Sequence, residues 1–547
     1  MNMQKVLTAE QMREVDRLTT ERYGIPSILL MENAAHTAAR VITEKLGGSV
    51  AGKSFLILCG KGNNGGDGAA LGRILWTQGA NVDIYLLGKV KETKGDARTN
   101  YEILSRIEFY EISKYGRIPD SLLFFVEVDD IESWKKGKTF YDIDVVVDAL
   151  FGTGLNKPVT SKFKNLIKQS GKFGSIDKLV VSIDVPSGLN SDFAYLIGEN
   201  FRSDLTVAFT APKLANVFPP ASNFNGELHV ANIGSPQELI DNSPSQTFVA
   251  EKKDARVWLN KTQVKTDSYK KTRGTALLIA GSKSYSGAAI LAANACFAAG
   301  AGMVSVGVPK SVQEIVATKI LDEIITRAFS ETKNGAFAKS AVKDVLELSG
   351  KMNVIALGCG LTSDDESTRS FVREVVENRK TPVVIDADGL NALAPFDLEG
   401  SSNLPLILTP HIGEFQRILG TNEEIKDRIK MAREFSQKHK VILVLKGERS
   451  LIAAPSGEVV INPTGNAGIS RAGSGDTLTG IITGFLAQTY GTQKPNLENT
   501  FETVIAALYV AGLAGDIAAK KLSDRLMSAS DIRGCLNEAI KSITNYE

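Results

Sequence analysis

Short apolar runs recur along the first half of the chain, and each is followed by a glycine-rich turn and then a helical pattern. The clearest are SFLILCG from Ser54, VDIYLLG from Val82, DVVVDALFG from Asp144 and KLVVSIDV from Lys178. Continuous runs of Val, Ile and Leu indicate strands that are buried on both faces, as in a parallel sheet. Their alternation with helices predicts an α/β fold with a doubly wound sheet.

A polar segment after Gly234 separates this region from a second region, in which apolar runs again alternate with turns and helical patterns. The second set of apolar runs is TALLIAGS, MVSVGVP, MNVIALGCG, TPVVIDADG, LPLILTPH and KVILVLKG. A chain of 547 residues is too long for one hydrophobic core. We therefore predict two doubly wound α/β domains, residues 1–245 and 246–547. The two halves do not share an order of motifs, which indicates a fusion and not a duplication.

The composition is that of an ordinary globular protein and restricts the possible functions. Net charge is +1, which gives no global basic field to hold nucleic acid or an anionic membrane. The four cysteines are widely spaced, with no CxxC pair, so the sequence predicts reduced thiols and neither a zinc site nor a disulfide framework. The N-terminus is unlike a signal peptide, and no apolar run approaches the ~20 residues of a membrane helix. We expect a cytoplasmic protein.

Three loops in the first half leave the carboxyl ends of predicted strands, where ligands collect in an open parallel sheet. One is GKGNNGGDG from Gly60, whose glycines let backbone amides approach a ligand closely. The other two follow Asp148 and Asp184. Each feature alone is more often a tight turn or a helix cap. Together they favour a ligand site, in which the side-chain oxygens of Asn64, Asp148 and Ser187 suit a hard cation.

These segments resemble the NAD(P)H-hydrate epimerase family over roughly residues 4–235. The resemblance rests on LTAEQMREVDRLTTERYGIPSILLMENAA, CGKGNNGGDG, DVVVDALFGTGL, SIDVPSGL and DLTVAFTAPK. It implies a Rossmann-like fold, with K+ held by Asn64, Asp148 and Ser187. The hydrate contacts that it implies are Asn63, Asn64, Gly65, Gly66, Asp67, Gly152, Thr153, Gly154, Leu155, Asn156, Lys157, Pro158 and Asp184. Asp184 is the better candidate for moving a proton, and Lys213 is the second candidate.

In the second half, the stretch AGSGDTLTG places a lone acidic residue, Asp476, after a run of glycines and directly before an apolar helical pattern. Amides at Gly473–Gly475 at a helix start hold an anion or the charge of a transferred phosphoryl group. An aspartate in the first turn can accept the proton of a hydroxyl beside that group. The alternative is an N-cap aspartate after a flexible loop. The spacing from NPTGN favours phosphoryl transfer.

Roughly residues 255–540 resemble the ribokinase-like superfamily and, within it, the NAD(P)H-hydrate dehydratase family. The matching segments include LLIAGSKSYSGAAILAANACFAAGAGMVSVGVP, VVIDADGLNAL, LTPHIGEFQRIL, VLKGERSLI and NPTGNAGISRAGSGDTLTG. The resemblance implies Asp476 as the catalytic base and Mg2+ with ADP or ATP as co-substrate. Implied nucleotide contacts are Lys446, Gly447, Glu448, Arg449, Ser450 and Gly475. Implied hydrate contacts are Ala288, Gly360, His411 and Asp476.

Three features of this half complicate the resemblance. His411 stands at a strand end, where a histidine is usually a packed or hydrogen-bonding side chain, although the neighbouring Glu414 favours ligand binding. Relatives commonly read HKGTYG where this chain has YKKTRG (Tyr269–Gly274). They often read GPG where Cys359 stands in GCG. None of these differences touches Asp476.

The two resemblances together predict a bifunctional enzyme of metabolite repair. Its substrates would be NADHX and NADPHX, the hydrates of NADH and NADPH, together with ADP or ATP. The N-terminal domain would interconvert the R and S epimers, and the C-terminal domain would dehydrate the S epimer. We expect a homo-oligomer that binds neither nucleic acid nor membrane. The alternative is a ribokinase-like small-molecule kinase fused to a non-catalytic binding domain.

Overall fold

The protein divides into two compact units. The structure, a computed structural model, describes residues 3–115, 123–128, 143–160, 164, 167 and 178–544. The first unit comprises Lys5–Ser245, and the second comprises Gln246–Glu547 together with Met1–Gln4. The sequence placed the first four residues in the N-terminal domain. They group with the C-terminal unit because Met3 lies among that unit's buried apolar side chains.

The N-terminal unit is built on a parallel sheet with helices packed against it. Its described strands are β2 (Ser54–Cys59), β3 (Asn81–Leu86), β4 (Leu123–Glu127), β5 (Val145–Ala149), β6 (Leu179–Ile183), β7 (Leu205–Phe209) and β8 (Glu227–Ala231). The helices are α1 (Ala9–Tyr23), α2 (Ser27–Lys45), α3 (Asn63–Thr77), α4 (Gly95–Tyr115), α5 (Leu214–Val217) and α6 (Gln237–Asp241). The strand order is β4-β3-β2-β5-β6-β7-β8, and every pair is parallel.

The strand order reverses between β2 and β5, which makes the carboxyl ends of these two strands a topological switch point. Their residues are buried almost throughout because helices cover the sheet, as the apolar runs predicted. The loops that carry the candidate residues therefore open at one edge of the sheet.

Helix α3 begins at Asn63, earlier than the glycine-rich turn in the sequence suggested. Its glycines serve close packing. A Cβ on Gly65 would lie 1.8 Å from the Gly60 carbonyl oxygen, and one on Gly68 would lie 2.6 Å from Cβ of Ala149. Asn63–Gly66 therefore form the first turn of a helix that is pressed onto the sheet, with Asp67 directly after it, and the amides of that turn point toward the carboxyl ends of the strands.

The C-terminal unit contains a larger sheet. Its strands are β9 (Thr247–Val249), β10 (Thr275–Ile279), β11 (Met303–Pro309), β12 (Ile325–Phe329), β13 (Val354–Leu357), β14 (Val383–Ile385), β15 (Leu406–Leu408), β16 (Ile442–Leu445), β17 (Leu451–Ala453) and β18 (Val459–Ile461). With β1 (Gln4–Lys5) at the edge, the order is β1-β9-β18-β17-β16-β15-β14-β13-β10-β11-β12. The pairs from β12 to β16 are parallel, whereas β16-β17 and β17-β18 are antiparallel.

Helices cover this sheet as well. They are α7 (Lys252–Lys261), α8 (Ser286–Ala298), α9 (Gln313–Ala317), α10 (Val342–Ser349), α11 (Glu366–Glu377), α12 (Asp388–Ala392), α13 (Ile412–Leu419), α14 (Arg428–His439), α15 (Ser474–Thr492), α16 (Leu497–Leu522), α17 (Ala529–Gly534) and α18 (Leu536–Thr544). Helices α8 and α15 pack against each other. The prediction of two α/β units with doubly wound, mainly parallel sheets is confirmed.

Helix α16 is long and apolar enough to cross a membrane by length and composition, with a mean hydropathy of 1.5 over its most apolar window. This corrects the expectation that no segment approaches that length. The same window is 72% buried inside the unit, where α16 packs against α15, α7 and α18. Its apolar character is accounted for by this core position, since a helix that is hydrophobic all round is a buried helix.

Candidate functional sites

A cavity of about 660 Å3 opens at the carboxyl edge of the N-terminal sheet. The loops after β2, β5, β6 and β7 contribute to its lining, together with α1 and α2. The predicted hydrate contacts that line it are Asn63, Asn64, Asp67, Gly152, Thr153, Gly154, Leu155 and Asp184. The parallel sheet brings these residues together although they are far apart in the chain.

The other predicted contacts lie elsewhere. Gly65 and Gly66 are buried in the first turn of α3 and pack against Gly60 and Ala97. Asn156, Lys157 and Pro158 are exposed and outside the lining of the cavity. The loop after Leu155 turns toward solvent, so the structure does not bring its last three predicted residues to the cavity.

Asp184 and Lys213 form an ion pair in the wall of the cavity. Lys213 Nζ lies 2.5 Å from Asp184 Oδ1 and also donates to the carbonyl oxygen of Phe209 at 2.9 Å. The side chain of Lys213 is 1% exposed, and that of Asp184 is 14% exposed. Asp184 also has a φ of 65°, an uncommon value for a residue with a side chain, at the strand end. Asp184 and Lys213, which the sequence offered as alternative candidates for moving a proton, are therefore partners in one ion pair.

Asp148 is fully buried beneath the loop that follows β5, and uncharged groups satisfy its carboxylate. It accepts from the hydroxyl of Ser182 at 2.9 Å, and from the hydroxyl and amide of Ser187 at 2.5 and 2.8 Å. Burial raises the pKa of Asp148, while the hydrogen bonds from Ser187 and Ser182 oppose the rise. Two of the predicted cation ligands, Asp148 and Ser187, are therefore in direct contact.

Asn64, the third predicted cation ligand, has a buried side-chain amide whose oxygen and nitrogen both lack a hydrogen-bond partner among the described residues. It lines the cavity and lies against Gly152, where an added Cβ would be 3.2 Å from Cβ of Asn64. A buried amide without partners is costly, which makes Asn64 a candidate for contact with a ligand atom.

Sequence reasoning missed Asp16, which lines the same cavity from α1. A signal was present in the sequence. Met12, Val15 and Thr19 form the buried stripe of an amphipathic helix, and Asp16 stands beside that stripe. Burial and the neighbouring Asp184 raise the pKa of Asp16 to about 6, although Lys213 lowers it.

In the C-terminal unit, Asp476 occupies the first turn of α15 as predicted. The helix starts after Gly473, whose φ of 88° is the left-handed turn that reverses the chain, and no side chain caps it. The predicted row of free amides is only partly present, because the Ser474 amide donates to the carbonyl oxygen of Arg471 at 3.2 Å. The alternative of an N-cap aspartate is wrong, since the cap residue is Gly473 and Asp476 lies inside the helix.

The carboxylate of Asp476 is in an environment that favours its protonated form. Burial and then Asp386 raise its pKa to about 6, whereas a hydrogen bond with the thiol of Cys359 and the charge of Lys446 lower it. A carboxylate with a pKa in this range is still mainly ionised at neutral pH and is a stronger base than an exposed one. Cys359 therefore contacts the proposed base, which corrects the expectation that the difference at this position does not touch Asp476.

Lys446, predicted as a nucleotide contact, lies beside Asp476 and is held by two acids. Its Nζ is 2.7 Å from Oδ1 of Asp386 and 3.8 Å from Oε2 of Glu414. The other oxygen of Asp386 accepts from the hydroxyl of Thr479 in α15 at 2.8 Å. Burial acts to lower the pKa of Lys446, but the two acids raise it above its ordinary value. Asp386 was not among the predicted site residues, although it follows strand β14 in VVIDADG.

Gly475 stands next to this ion pair. A Cβ placed on it would lie 3.6 Å from Lys446 Nζ and 3.7 Å from Asp386 Oδ2. The remaining predicted nucleotide contacts, Gly447, Glu448, Arg449 and Ser450, form the turn between β16 and β17. The start of α15 and this hairpin turn are therefore joined through Lys446.

His411 caps helix α13 with its side chain. Its Nδ1 accepts from the amides of Gly413 and Glu414 at 3.0 and 3.3 Å, and Glu414 accepts from the His411 amide at 2.8 Å. The imidazole is about half exposed. Because Nδ1 is the acceptor, the neutral ring carries its proton on Nε2, which lies 3.5 Å from Oε1 of Glu414. The histidine is thus a half-exposed helix cap, and its backbone forms a β-bridge with that of Lys446.

The two remaining predicted hydrate contacts are neighbours. A Cβ on Gly360 would lie 2.9 Å from Cβ of Ala288 and 2.8 Å from Cβ of Tyr285. Gly360 is in the loop after β13, and Ala288 is in the first turn of α8. Any side chain at position 360 would collide with this turn.

The NPTGN segment upstream of Asp476 is anchored on α16. Thr464 donates to the carbonyl oxygen of Tyr509 at 2.9 Å. Asp516 accepts from the amide of Gly465 and from the side chain of Asn466, both at 3.0 Å. These polar residues fix the path of the chain into the glycine-rich turn, so the described contacts give the segment a supporting role.

In a comparison with known proteins, two different families match the two halves of the chain. A family described as YjeF-related protein N-terminus matches residues 27–215, and one described as NAD(P)H-hydrate dehydratase matches residues 276–536. The bifunctional NAD(P)H-hydrate repair enzyme of Moorella thermoacetica is 38% identical over 544 residues, which cover 98% of this chain and 97% of the relative. This chain belongs to the family of bifunctional NAD(P)H-hydrate repair enzymes.

A second relative covers nearly the whole chain, and a solved structure covers about half of it. The family member of Thermofilum pendens is 32% identical over 542 residues, which cover 98% of this chain and 97% of the relative. A solved structure, the ADP/ATP-dependent NAD(P)H-hydrate dehydratase from Bacillus subtilis co-crystallized with ATP/Mg2+, is 30% identical. It covers 54% of this chain and 98% of its own, with a TM-score of 0.45.

Proposed function

We propose that this protein repairs hydrated NADH and NADPH with two active sites. The N-terminal site interconverts the R and S epimers of the hydrate, and the C-terminal site dehydrates the S epimer to NAD(P)H with ADP or ATP. The observation that carries the proposal is Asp476, a lone carboxylate in the first turn of an uncapped helix beside a buried Lys446–Asp386 pair. Full-length similarity to the bifunctional relatives supports the pairing of both activities in one chain.

In the C-terminal site, Asp476 accepts the proton of the ring hydroxyl as the phosphoryl group is transferred to that oxygen. The raised pKa of Asp476, about 6, makes it a base that is matched to neutral pH. The ammonium of Lys446 and the start of α15 lie where negative charge develops on the transferred group. Phosphate then leaves with the oxygen, and the adjacent ring carbon loses a proton to solvent, which restores the carbon–carbon double bond of the reduced nicotinamide ring. The pairing of Lys446 with Asp386 fixes the ammonium in place before the reaction starts.

The nucleotide binds with Mg2+, which neutralises the charge of its phosphates. Among the described residues no cluster of three or more His, Cys, Asp or Glu side chains is arranged to hold a metal ion. The hairpin turn Gly447–Ser450, which follows Lys446 directly, provides the nucleotide contacts.

In the N-terminal site, we propose that Asn64, Asp148 and Ser187 hold K+. The four described hydrogen-bond donors to Asp148 are all uncharged, so its buried negative charge has no cationic partner among them. A bound cation would supply that charge, and the unpartnered amide oxygen of Asn64 provides a further ligand. The ion would hold the loops after β2, β5 and β6 together, and these are the loops that line the cavity.

The experiment is an assay of recovered NADH absorbance from a mixture of hydrate epimers. With ADP or ATP and Mg2+ the enzyme should convert both epimers completely, and without nucleotide it should convert neither. Separation of the epimers by chromatography, without nucleotide, should still reveal rapid interconversion. A stable phosphorylated product with no recovery of NADH would contradict the dehydratase and indicate the small-molecule kinase instead.

A further inference from the structure

The side chain of Asp16 enters the epimerase cavity from α1, and the sites predicted from the sequence do not include it. Its Oδ1 is buried and has no hydrogen-bond partner among the described residues. Two other groups in the same lining are also without a partner, the hydroxyl of Thr210 and the amide of Asn64. Asn64 is only 8% exposed. Three orphaned polar groups around one cavity indicate a built site for a polar ligand.

The charged groups that face Asp16 come from several elements. Asp184 and Lys213 follow β6 and β7, Asp67 is the fifth residue of α3, and Arg13 belongs to α1 itself. Lys213 donates to Asp184 and to a backbone carbonyl oxygen. Because the ammonium is already committed to Asp184, Asp16 has no direct ion-pair partner among these groups.

This environment sets the protonation of Asp16. Burial raises its pKa to about 6, with Asp184 adding to the rise and Lys213 opposing it. Burial, followed by Asp184 and Asp16, also raises the pKa of Asp67 well above its ordinary value. A carboxyl group with a pKa near 6 holds a proton on a useful fraction of molecules at neutral pH, whereas an exposed aspartate holds almost none.

The chemistry of the hydrate, on which the proposed function rests, requires such a proton. Water adds to the reduced ring at the carbon beside the ring nitrogen, because protonation of the enamine places the positive charge there. Inversion at that carbon requires one of its bonds to break and form again. The nitrogen lone pair can expel the hydroxyl group, but hydroxide is a poor leaving group unless it is protonated as it departs.

We propose that Asp16 is a further catalytic residue of the epimerisation and donates the proton to the departing hydroxyl group. The carbon–oxygen bond breaks, the nitrogen lone pair forms a carbon–nitrogen double bond, and the oxygen leaves as water with the Asp16 proton. Water then adds to the opposite face of the ring. Its proton returns to the Asp16 carboxylate and the electron pair of the double bond returns to nitrogen, so that no oxidant or other reactant is consumed. Asp184, already accepting from Lys213, is the negative charge that faces the cationic ring.

The first test is the variant Asp16→Asn, which keeps the shape of the side chain and removes its proton. Epimerisation by this variant should fall by about 100-fold or more in kcat, the usual contribution of a general acid. The matched control is Glu14→Gln, a carboxylate on the exposed face of the same helix that pairs with Arg17. It should epimerise like the wild type. ADP-dependent dehydration of the purified S epimer should be unchanged in both variants, which checks that the chain is folded and active.

A pH profile and an isotope measurement test the same proposal. The kcat/KM for epimerisation should fall as pH rises through about 6, because the donor loses its proton, and Asp16→Asn should lose this limb. In water enriched in oxygen-18, each inversion should place one solvent oxygen on the ring. Inversion without uptake of the label would overturn the proposed bond cleavage, and near-wild-type epimerisation by Asp16→Asn would overturn the role of Asp16. If the wild type itself does not epimerise, the proposed function fails instead.

Discussion

Lys446 Nζ lies 2.7 Å from Oδ1 of Asp386, whose side chain is only 2% exposed. The pair joins strand β16 to the end of β14, and Thr479 connects it to helix α15, which carries Asp476. The same ammonium that we place beside the transferred phosphoryl group therefore also neutralises a carboxylate inside the fold. In the proposed mechanism, stability and catalysis depend on the charge of the same ammonium group.

Removal of this charge should destabilise the C-terminal unit. Lys446→Met leaves Asp386 buried without its cation, which we expect to lower the free energy of unfolding by about 3 kcal/mol. Lys440→Met is the matched control. Lys440 makes a pair of similar length with Glu399, at 2.8 Å, but both side chains are 59% exposed. The control should cost less than about 1 kcal/mol. Urea titrations compare the two variants, and equal losses would mean that burial of Asp386 has no energetic consequence.

Asp476→Asn should abolish dehydration and leave epimerisation unchanged. The amide keeps the shape of the side chain but cannot accept the hydroxyl proton, so we expect a loss of about 100-fold or more in rate. Epimerisation in the same preparation is the internal control for a folded chain. If the variant dehydrates the S epimer at a rate close to that of the wild type, Asp476 is not the base.

The pH dependence of dehydration should report the same carboxylate. Since the base must be ionised, kcat/KM should fall about tenfold per pH unit below the Asp476 pKa of about 6 and level off above it. Cys359→Ala removes the thiol hydrogen bond that lowers this pKa, so its acid limb should move to higher pH. An acid limb that stays where it is in the Cys359 variant would show that the limb belongs to another group.

Loss of Asp148 should impair epimerisation, and added K+ should not restore it. Asp148→Ala removes the only formal negative charge among the three proposed ligands, on which a weakly held monovalent cation depends. Asp241→Ala, an exposed aspartate of the same unit, serves as the control and should keep its response to K+. Rates are measured over a K+ titration at constant ionic strength. Equal rates for wild type and Asp148→Ala at saturating K+ would contradict the cation site.

Separation of the chain near residue 245 should yield two active fragments, although the second then lacks the edge strand β1 and the buried side chain of Met3. Residues 1–245 should epimerise without nucleotide, because the phosphoryl-transfer residues lie in the other unit. Residues 246–547 should dehydrate only the S epimer, and only with ADP or ATP. On a mixture of epimers this fragment should run fast and then slow to the rate of spontaneous epimerisation. Addition of the first fragment should remove the slow phase, whereas a single fast phase with the second fragment alone would contradict the division of labour.

The buried parallel strands were predictable because their evidence is local. Runs such as SFLILCG and TALLIAGS contain the apolar pattern and the following turn within a few residues, and they form β2 and β10. The short antiparallel strands β17 and β18 were missed. Each has only three residues, and their pairing is decided by neighbours in the sheet and not by their own sequence.

The candidate sites were predictable only in part, for a related reason. A parallel sheet places strand ends at one edge, so the loops at Asn64, Asp148 and Asp184 could be grouped from the sequence. Asp386 and Asp16 acquire their roles from partners on distant elements. Nothing in VVIDADG distinguishes an aspartate that pairs with Lys446 from an ordinary turn residue, and the meaning of Asp16 depends on the loops that face α1.

The first residues of the chain belong to the second catalytic unit, since Met3 packs in the apolar core of the C-terminal sheet. Met3 therefore leaves the ribosome before any residue of the epimerase unit. The apolar side chains against which it packs are synthesised only after the whole N-terminal unit. A purification tag fused ahead of Met3 is therefore joined to the dehydratase unit, although it precedes the epimerase in the polypeptide.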